Sequence, residues 1–314
     1  MHLRKPNFWD QKLSLVSYLL LPFTILIKIN NFFLTHKNKL LSKKIKTICV
    51  GNIYVGGTGK TPATIKIYNL IKKTKSVVTA KKYYPYQKDE EILLKEKTQF
   101  LTKKNRISII RQAVKKKIEV IIFDDGLQDS QIDYDLKIVC FDAQLGIGNG
   151  FLIPAGPLRE SLESLNKYDA VLIKCDGYNP KFLIKLIKKN HSKIAIFTSS
   201  YTISNLKNID KNKKYLIYSG IGNPKSFEKI LKKNKIQVVD KLVFPDHYTY
   251  SNKDYVDIIT RAQKYGANIL TTEKDYVKIP TKYKKNIKFI KLNLTIHNEK
   301  KFIKFIKFKL NDKN

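Results

Sequence analysis

Short apolar runs rich in β-branched and aromatic residues recur along this chain, and helical patterns separate many of them. The runs are Lys46–Val50, Ser76–Thr79, Val120–Phe123, Lys137–Phe141, Ala170–Ile173, Lys193–Phe197, Tyr215–Tyr218, Ile236–Val239, Asn268–Thr271 and Ile287–Leu292. Helical spacing falls at 60–73, 106–116, 179–189, 224–234, 251–265 and 300–310. Strands that alternate with helices fold into parallel sheets whose two faces are covered, so the fold class is α/β. The mostly polar stretch Ser204–Lys214 is the best internal boundary, and a second α/β unit restarts at Tyr215. The expected division is an N-terminal helical segment 1–45, a larger α/β domain 46–203 and a smaller α/β domain 204–314. The length of 314 residues suffices for two such cores.

The first strand runs into VGNIYVGGTGKTP, residues 50–62. Strand, glycines, Lys-Thr and helix are the context of a P-loop. Gly56, Gly57, Thr58 and Gly59 would let backbone N–H groups approach phosphate oxygens. Lys60 would reach the outer phosphates, and the Thr61 hydroxyl would ligate Mg²⁺. Pro62 suits a first helical turn, where its missing N–H costs nothing. The strict pattern G-x-x-x-x-G-K-[ST] fails at Tyr54, and a dinucleotide fingerprint fails at Pro62. A glycine-rich turn without a ligand is the plainer reading, but GGTGKT directly after a strand is too specific for it.

Val120–Phe123 ends in Asp124 and Asp125, followed by Gly126-Leu127-Gln128. An apolar strand closing on an acid has the form of the second strand of a P-loop site, whose Asp holds Mg²⁺. Two adjacent carboxylates repel and favour a cation beside them. Downstream, GIGNGFLIPAGPLRE (146–160) is dense in glycine and proline, as a rigid loop facing a ligand would be. From it, Arg159 could stabilise phosphate charge and Glu160 could support the metal. In the second half, FPDH (244–247) precedes a helix and TTEKD (271–275) closes a strand. Ligands bind at the carboxyl ends of parallel strands, although a lone His such as His247 is more often structural.

The formal net charge is +35. Lys is spread along the whole chain while Arg is scarce, so dedicated nucleic-acid recognition is not expected. Such a surface is drawn instead to anionic lipid or an anionic substrate. Cys49, Cys140 and Cys175 lie in or beside apolar runs and read as buried thiols of a reducing compartment. The most apolar stretch, Leu13–Ile29, is short for a membrane span, is broken by Pro22, and is flanked by Lys12, Lys28, Lys37 and Lys39. Phe8, Trp9, Tyr18, Phe32 and Phe33 suit a bilayer interface. No small-residue cleavage site follows it, which disfavours a signal peptide. A buried core helix and a helix lying in the cytoplasmic leaflet remain, and the second is favoured.

Taken in order, VGNIYVGGTGKTP, DDGLQ, GIGNGFLIPAGPLRE, SGIGNP (219–224), FPDH and TTEKD resemble the tetraacyldisaccharide 4′-kinases, the lipid A 4′-kinase family. A missing first P-loop glycine is that family's habit. The resemblance implies a P-loop NTPase-like fold of two α/β/α domains, with the nucleotide on the N-terminal one. It implies transfer of the γ-phosphate of ATP, with Mg²⁺, to the 4′-hydroxyl of a tetraacylated glucosamine disaccharide 1-phosphate, giving lipid IVA. It also implies a peripheral enzyme, acting as a monomer, on the anionic cytoplasmic face of the inner membrane. The family's catalytic Asp maps to Asp89 and its FPDH histidine to His247, as an acid–base dyad, with Glu90 and Glu91 as nearby alternatives to Asp89. This sequence departs from the family at Thr79–Tyr84, where Ser-Arg-Gly-Tyr-Gly is usual, and at Lys88, where Gly is usual. The rival readings are weaker. A partition-type ATPase carries a signature Lys where Val55 stands, and a basic nucleic-acid binder explains neither the P-loop nor the acid pair.

Overall fold

The computed structural model describes residues 5–35, 44–84, 88–129 and 131–311. From the N-terminus the elements are α1 (Leu15–Leu20), α2 (Thr24–Thr35), β1 (Lys46–Gly51), α3 (Lys60–Ile71), β2 (Val77–Lys82), α4 (Lys88–Lys97), β3 (Phe100–Lys103), α5 (Arg106–Lys115), β4 (Val120–Asp124) and β5 (Leu136–Asp142). There follow β6 (Ala170–Lys174), α6 (Lys181–Asn190), β7 (Ala195–Ile203), β8 (Lys214–Ser219), α7 (Pro224–Lys233), β9 (Gln237–Val243), α8 (Asn252–Lys264), β10 (Asn268–Thr272) and α9 (Glu273–Tyr276). The chain ends with α10 (Thr281–Lys284), β11 (Ile287–Ile290), β12 (Leu292–Ile296) and α11 (Glu299–Asn311).

Two compact units result. The larger comprises Lys5–Tyr84, Lys97–Ser200 and Thr295–Asn314, and the smaller is Tyr201–Leu294 together with Pro85–Glu96. The smaller unit is therefore not one continuous segment. The chain enters it once between β2 and β3, through α4, and again between β7 and β12. The stretch expected as a single strand, Ile287–Leu292, is divided between β11 and β12. Asn205 marks the break: its side chain accepts from Lys291 N–H at 2.8 Å and donates to Phe289 O at 2.8 Å.

The larger sheet has eight strands in the order β12-β7-β6-β5-β1-β4-β2-β3. The pairs β1–β4, β1–β5, β2–β4, β2–β3, β5–β6 and β6–β7 are all parallel. Strands β4 and β6 are buried at every position and β1 at all but its first, as parallel strands covered on both faces must be. The smaller sheet, β11-β10-β8-β9, is likewise parallel. Central β8 and β10 are almost wholly buried, whereas edge strand β9 alternates between exposed and half-buried residues. This is the expected α/β, P-loop NTPase-like architecture. The polar edge strand β3 and the charged helix α4 carry too little apolar signal to stand out from sequence. Cys49, Cys140 and Cys175 are buried free thiols, and burial pushes that of Cys140 up to about 12.

The apolar N-terminal run is two helices, not one. Pro22 opens a 3-10 turn, Leu21–Phe23, that separates α1 from α2. No helix among the described residues is long and apolar enough to cross a membrane. The segment is tied to the glycine-rich loop 146–160 by polar contacts. Trp9 Nε1 donates to Pro154 O at 3.0 Å, Asn149 N donates to Trp9 O at 2.8 Å, Asn149 Nδ2 to Ser17 Oγ at 3.0 Å, and Asn31 Nδ2 to Arg159 O at 3.0 Å. Its other side leaves Leu13, Leu15, Leu19, Phe23, Ile25 and Leu26 exposed. Lys37 and Lys39, and the side chains of Phe32 and Phe33, lie outside the described residues.

The loop leaves no room for a side chain at Gly148 or Gly156. A Cβ on Gly156 would lie 2.5 Å from Phe151 O and 2.1 Å from Asn149 Oδ1. At Gly146 a Cβ meets nothing, although φ is +56°. Gly156→Ala should therefore cost about 2–3 kcal/mol of stability and Gly146→Ala about 1 kcal/mol, measured by denaturant melts of the two variants side by side.

Candidate active site

The larger unit builds a phosphate cradle at the carboxyl end of β1. Gly56 and Gly59 have φ of 126° and 88°, a region that only glycine occupies without strain. Asn52, fully buried, holds the turn from inside: its Nδ2 donates to Thr58 Oγ1 at 3.0 Å and to Gly56 O at 3.3 Å. Gly59 caps α3 in the left-handed conformation, so Lys60 and Thr61 open the helix and Pro62 sits in its first turn. The unpaired N–H groups and the dipole of that helix end make a ready anion site.

Asp124 closes β4, the strand next to β1. Its carboxylate is fully buried and accepts from Thr61 Oγ1 at 2.8 Å and Thr64 Oγ1 at 3.3 Å, with Lys81 Nζ 3.4 Å away. Asp125 turns the other way because its φ is +59°. It faces Lys60 Nζ at 3.6 Å and Arg159 Nη1 at 3.2 Å. Buried Arg106 fixes that turn by donating to Asp125 O and to the Asp129 carboxylate. Glu160 accepts from Gln128 Nε2 at 2.7 Å and Tyr168 OH at 2.8 Å, and Gln128 also donates to Asn52 O at 3.0 Å. Backbone pairing lays the second loop along the first: Val55 N donates to Pro157 O at 2.9 Å and Arg159 N to Ile53 O at 2.7 Å. Thus Gly56, Gly57, Thr58, Gly59, Lys60, Thr61, Asp124, Asp125, Arg159 and Glu160 all belong to one constellation in this unit.

Among the described residues, no three His, Cys, Asp or Glu side chains gather into a metal cage. Mg²⁺ does not need one, since one or two carboxylates plus substrate phosphates commonly hold it. The hydroxyl of Thr61 against the carboxylate of Asp124 is a hard-oxygen donor set of that kind. Tyr54, where the strict motif has glycine, is buried and bonds through its hydroxyl to Lys5 Nζ at 2.6 Å. Its side chain thereby serves the N-terminal segment and not the phosphate turn.

The smaller unit holds a second cluster. Asp89 lies in the first turn of α4, and only 3% of it is exposed. His247 has φ +59°. Its Nδ1 lies 2.9 Å from Asp89 Oδ1 and 3.1 Å from Oδ2. Glu90 N–H donates to Asp89 Oδ1 at 2.9 Å. Lys274, from α9, places Nζ 3.1 Å from Asp246, 3.5 Å from Asp89 and 3.6 Å from Glu90. Lys278 lies 3.8 Å from Asp89 and 2.8 Å from Asp275. Burial alone would raise the pKa of Asp89. The His247 hydrogen bond and the charges of Lys274 and Lys278 outweigh it and hold the carboxyl at about 2. The two residues FPDH and KDE contribute are thus in contact, and Glu90 and Glu91 are not hydrogen-bonded to the His247 ring. Sequence patterns gave no signal for Arg106, Lys81 or Tyr168, whose roles arise from strand and helix packing. Asn52, Gln128 and Lys274 lie inside VGNIYVGGTGKTP, DDGLQ and TTEKD, but no local pattern singles them out.

A carboxyl whose folded pKa is depressed contributes stability above its unfolded pKa, near 4, and loses it as pH falls towards 2. Asp89→Asn should therefore cost about 2 kcal/mol at pH 6 and progressively less between pH 4 and pH 2. Urea titrations of both proteins across that range measure the difference, and a gap that stays constant down to the lowest pH contradicts it.

Comparisons with known proteins identify the family. The family described as tetraacyldisaccharide-1-P 4′-kinase (LpxK) matches residues 14–83 and 71–311. The tetraacyldisaccharide 4′-kinase of Pelagibacter ubique is 44% identical over 316 residues, covering 100% of both chains. That of Rickettsia conorii is 33% identical, covering 95% of this chain and 98% of its own. Among solved structures, the ATP complex of LpxK from Aquifex aeolicus superposes with a TM-score of 0.71 at 25% identity, covering 94% of this chain and 100% of that one. Full-length similarity of this degree, on top of the phosphate cradle and the Asp89–His247 pair, places the chain in the tetraacyldisaccharide 4′-kinase family.

Proposed function

We propose that this chain is an ATP-dependent lipid kinase that phosphorylates the 4′-hydroxyl of tetraacyldisaccharide 1-phosphate, giving lipid IVA. The observation that carries the reading is the opening of α3 at the end of β1, with Lys60 beside Asp125 and Thr61 bonded to Asp124. Thr61 and Asp124 would hold Mg²⁺, while Asp125, paired with Lys60 and Arg159, and Glu160, bonded to Gln128 and Tyr168, would support the site through those partners. Bound there, the metal would neutralise charge on the phosphates and orient them. Lys60 and Arg159 add positive charge where the transferring phosphoryl group gains equatorial negative charge.

Asp89 accepts the proton of the 4′-hydroxyl as that oxygen forms its bond to the γ-phosphorus. The bond from phosphorus to the β,γ-bridging oxygen breaks, and ADP leaves with the electron pair. A carboxylate held ionised is suited to this role, because in a loose phosphoryl transfer the hydroxyl becomes strongly acidic as the new bond forms. His247 orients the carboxylate.

The acceptor is lipid, and the exposed Leu15, Leu19, Ile25 and Leu26 offer an apolar face to a bilayer surface, with the Lys-rich surface drawn to anionic headgroups. Because that segment also bonds to the 146–160 loop, its deletion would disturb the nucleotide site. Substitution of its exposed face separates the two effects. Leu15, Leu19 and Leu26 changed together to Ser should lower retention on anionic vesicles about tenfold or more while leaving ATP binding within about twofold. Equal retention by flotation contradicts a lipid-docking role.

The reaction itself is tested with labelled ATP, Mg²⁺ and tetraacyldisaccharide 1-phosphate in detergent. Asp89→Ala should lower kcat by about 10²–10⁴ with the KM for ATP little changed. Product from wild type and equally from the variant would move the base to another residue. ATP bound without product from the wild type would overturn the acceptor assignment.

A further inference from the structure

The ring of His247 is bracketed by two partners of opposite hydrogen-bonding character. Nδ1 faces the carboxylate of Asp89 at 2.9 and 3.1 Å, and Nε2 faces Lys274 Nζ at 3.4 Å. The carboxylates nearest to Nε2 lie farther away, Glu90 at 3.7 Å and Asp246 at 3.9 Å, outside hydrogen-bond reach. An ionised carboxylate only accepts hydrogen bonds and an ammonium only donates them. One ring state satisfies both contacts: a neutral imidazole with its proton on Nδ1 and a lone pair on Nε2.

Lys274 meets the condition this requires. It comes from α9, sequence-remote from both Asp89 and FPDH, and its side chain is 18% exposed. Burial disfavours its charge, but Asp246, Glu90 and Asp89 more than offset that and hold it protonated well above the ordinary lysine range. The groups facing the pair are otherwise Lys278 against Asp89, and Asp275, which Lys278 also pairs.

We propose that Lys274 is the positioning residue of the Asp89–His247 pair: its ammonium locks His247 as the neutral Nδ1–H tautomer and keeps Asp89 ionised. The catalytic consequence rests on the kinase reading above, whereas the ring state does not. With Nδ1–H committed to Asp89, the carboxylate is held in one orientation, and the only unprotonated ring nitrogen is the one that Lys274 covers. The pair then enters the reaction with acceptor capacity and no spare proton, as proton removal from a hydroxyl demands. Without the ammonium, the ring is free to carry a proton on Nε2 towards Glu90 and Asp246, and Asp89 loses one of its cations.

The test uses the full chain labelled with ¹⁵N-histidine, with the His247 signals identified by their loss in His247→Gln. At pH 7.5 and without substrate, wild type should show Nδ1 protonated and Nε2 bare. Lys274→Met should lose that single state, with protonated Nε2 appearing, and Lys274→Arg should retain it. In phosphotransfer, Lys274→Met should lower kcat about tenfold or more, the equivalent of at least one pKa unit of lost charge stabilisation. Its KM for ATP should be unchanged, and the acid limb of its pH profile should move upward by about one unit. Lys274→Arg should recover most of the rate. A wild-type ring protonated on Nε2, as imidazolium or as the other tautomer, overturns the proposal even if no variant folds. So does a folded Lys274→Met that keeps the wild-type ring state. The expected ring states in a protein that transfers no phosphate would instead sink the kinase reading and leave the assignment of Lys274 standing.

Discussion

The buried carboxylate of Asp124 is the contact on which the larger unit depends. A fully buried charge must be hydrogen-bonded and neutralised or it destabilises the fold that contains it. Asp124 meets that need with Thr61 and Thr64 from α3 and Lys81 from β2. One side chain thereby fixes the start of the phosphate-binding helix against two neighbouring strands. Gly56 and Gly59, before α3, take positive φ because they lack a Cβ, and the helix they lead into is held from beneath. Structure and the proposed chemistry share the same atoms here, since the hydroxyl and carboxylate that stabilise the loop are the oxygen donors proposed for magnesium.

The loop 146–160 extends this arrangement outward. It pairs with Ile53 and Val55 through backbone hydrogen bonds, delivers Arg159 to Asp125 and Glu160 to Gln128, and carries the N-terminal helices through Trp9, Ser17 and Asn31. Its glycines serve packing more than flexibility, since at Gly148 and Gly156 a Cβ would strike proline or backbone atoms. The apolar segment that leaves its leucines exposed is thus mechanically continuous with the phosphate site. Its exposed leucines, with lysines beside them, are the face proposed above for a lipid surface.

In the smaller unit the arrangement is electrostatic. Asp89, Glu90 and Asp246 meet His247, Lys274 and Lys278 within a few ångströms. Opposite charges in a partly buried place interact more strongly than on the surface, so this cluster fixes protonation states as well as positions. His247 reaches it from a left-handed backbone conformation, which most residues adopt only when the surroundings enforce it.

Much of this was legible in the sequence, for identifiable reasons. Parallel strands buried on both faces are written as continuous apolar runs, so β1, β4, β5, β6, β8 and β10 could be read directly. A phosphate loop needs glycines, Lys and Thr in contiguous order, and a metal-binding Asp must close an adjacent strand; both patterns are local. The choice of Asp89 rests on family resemblance, because KDE has no local signature. What only the tertiary structure decided is which distant side chains meet. The assignment of α4 to the smaller unit, the seat of Lys81 against Asp124, the grip of Arg106 on the Asp125 turn and the contact of Lys274 with His247 all join residues far apart in sequence. Local spacing encodes how a backbone turns and which face it buries. Charge neutralisation between separate elements depends on where the packed chain brings them, and no local pattern records that.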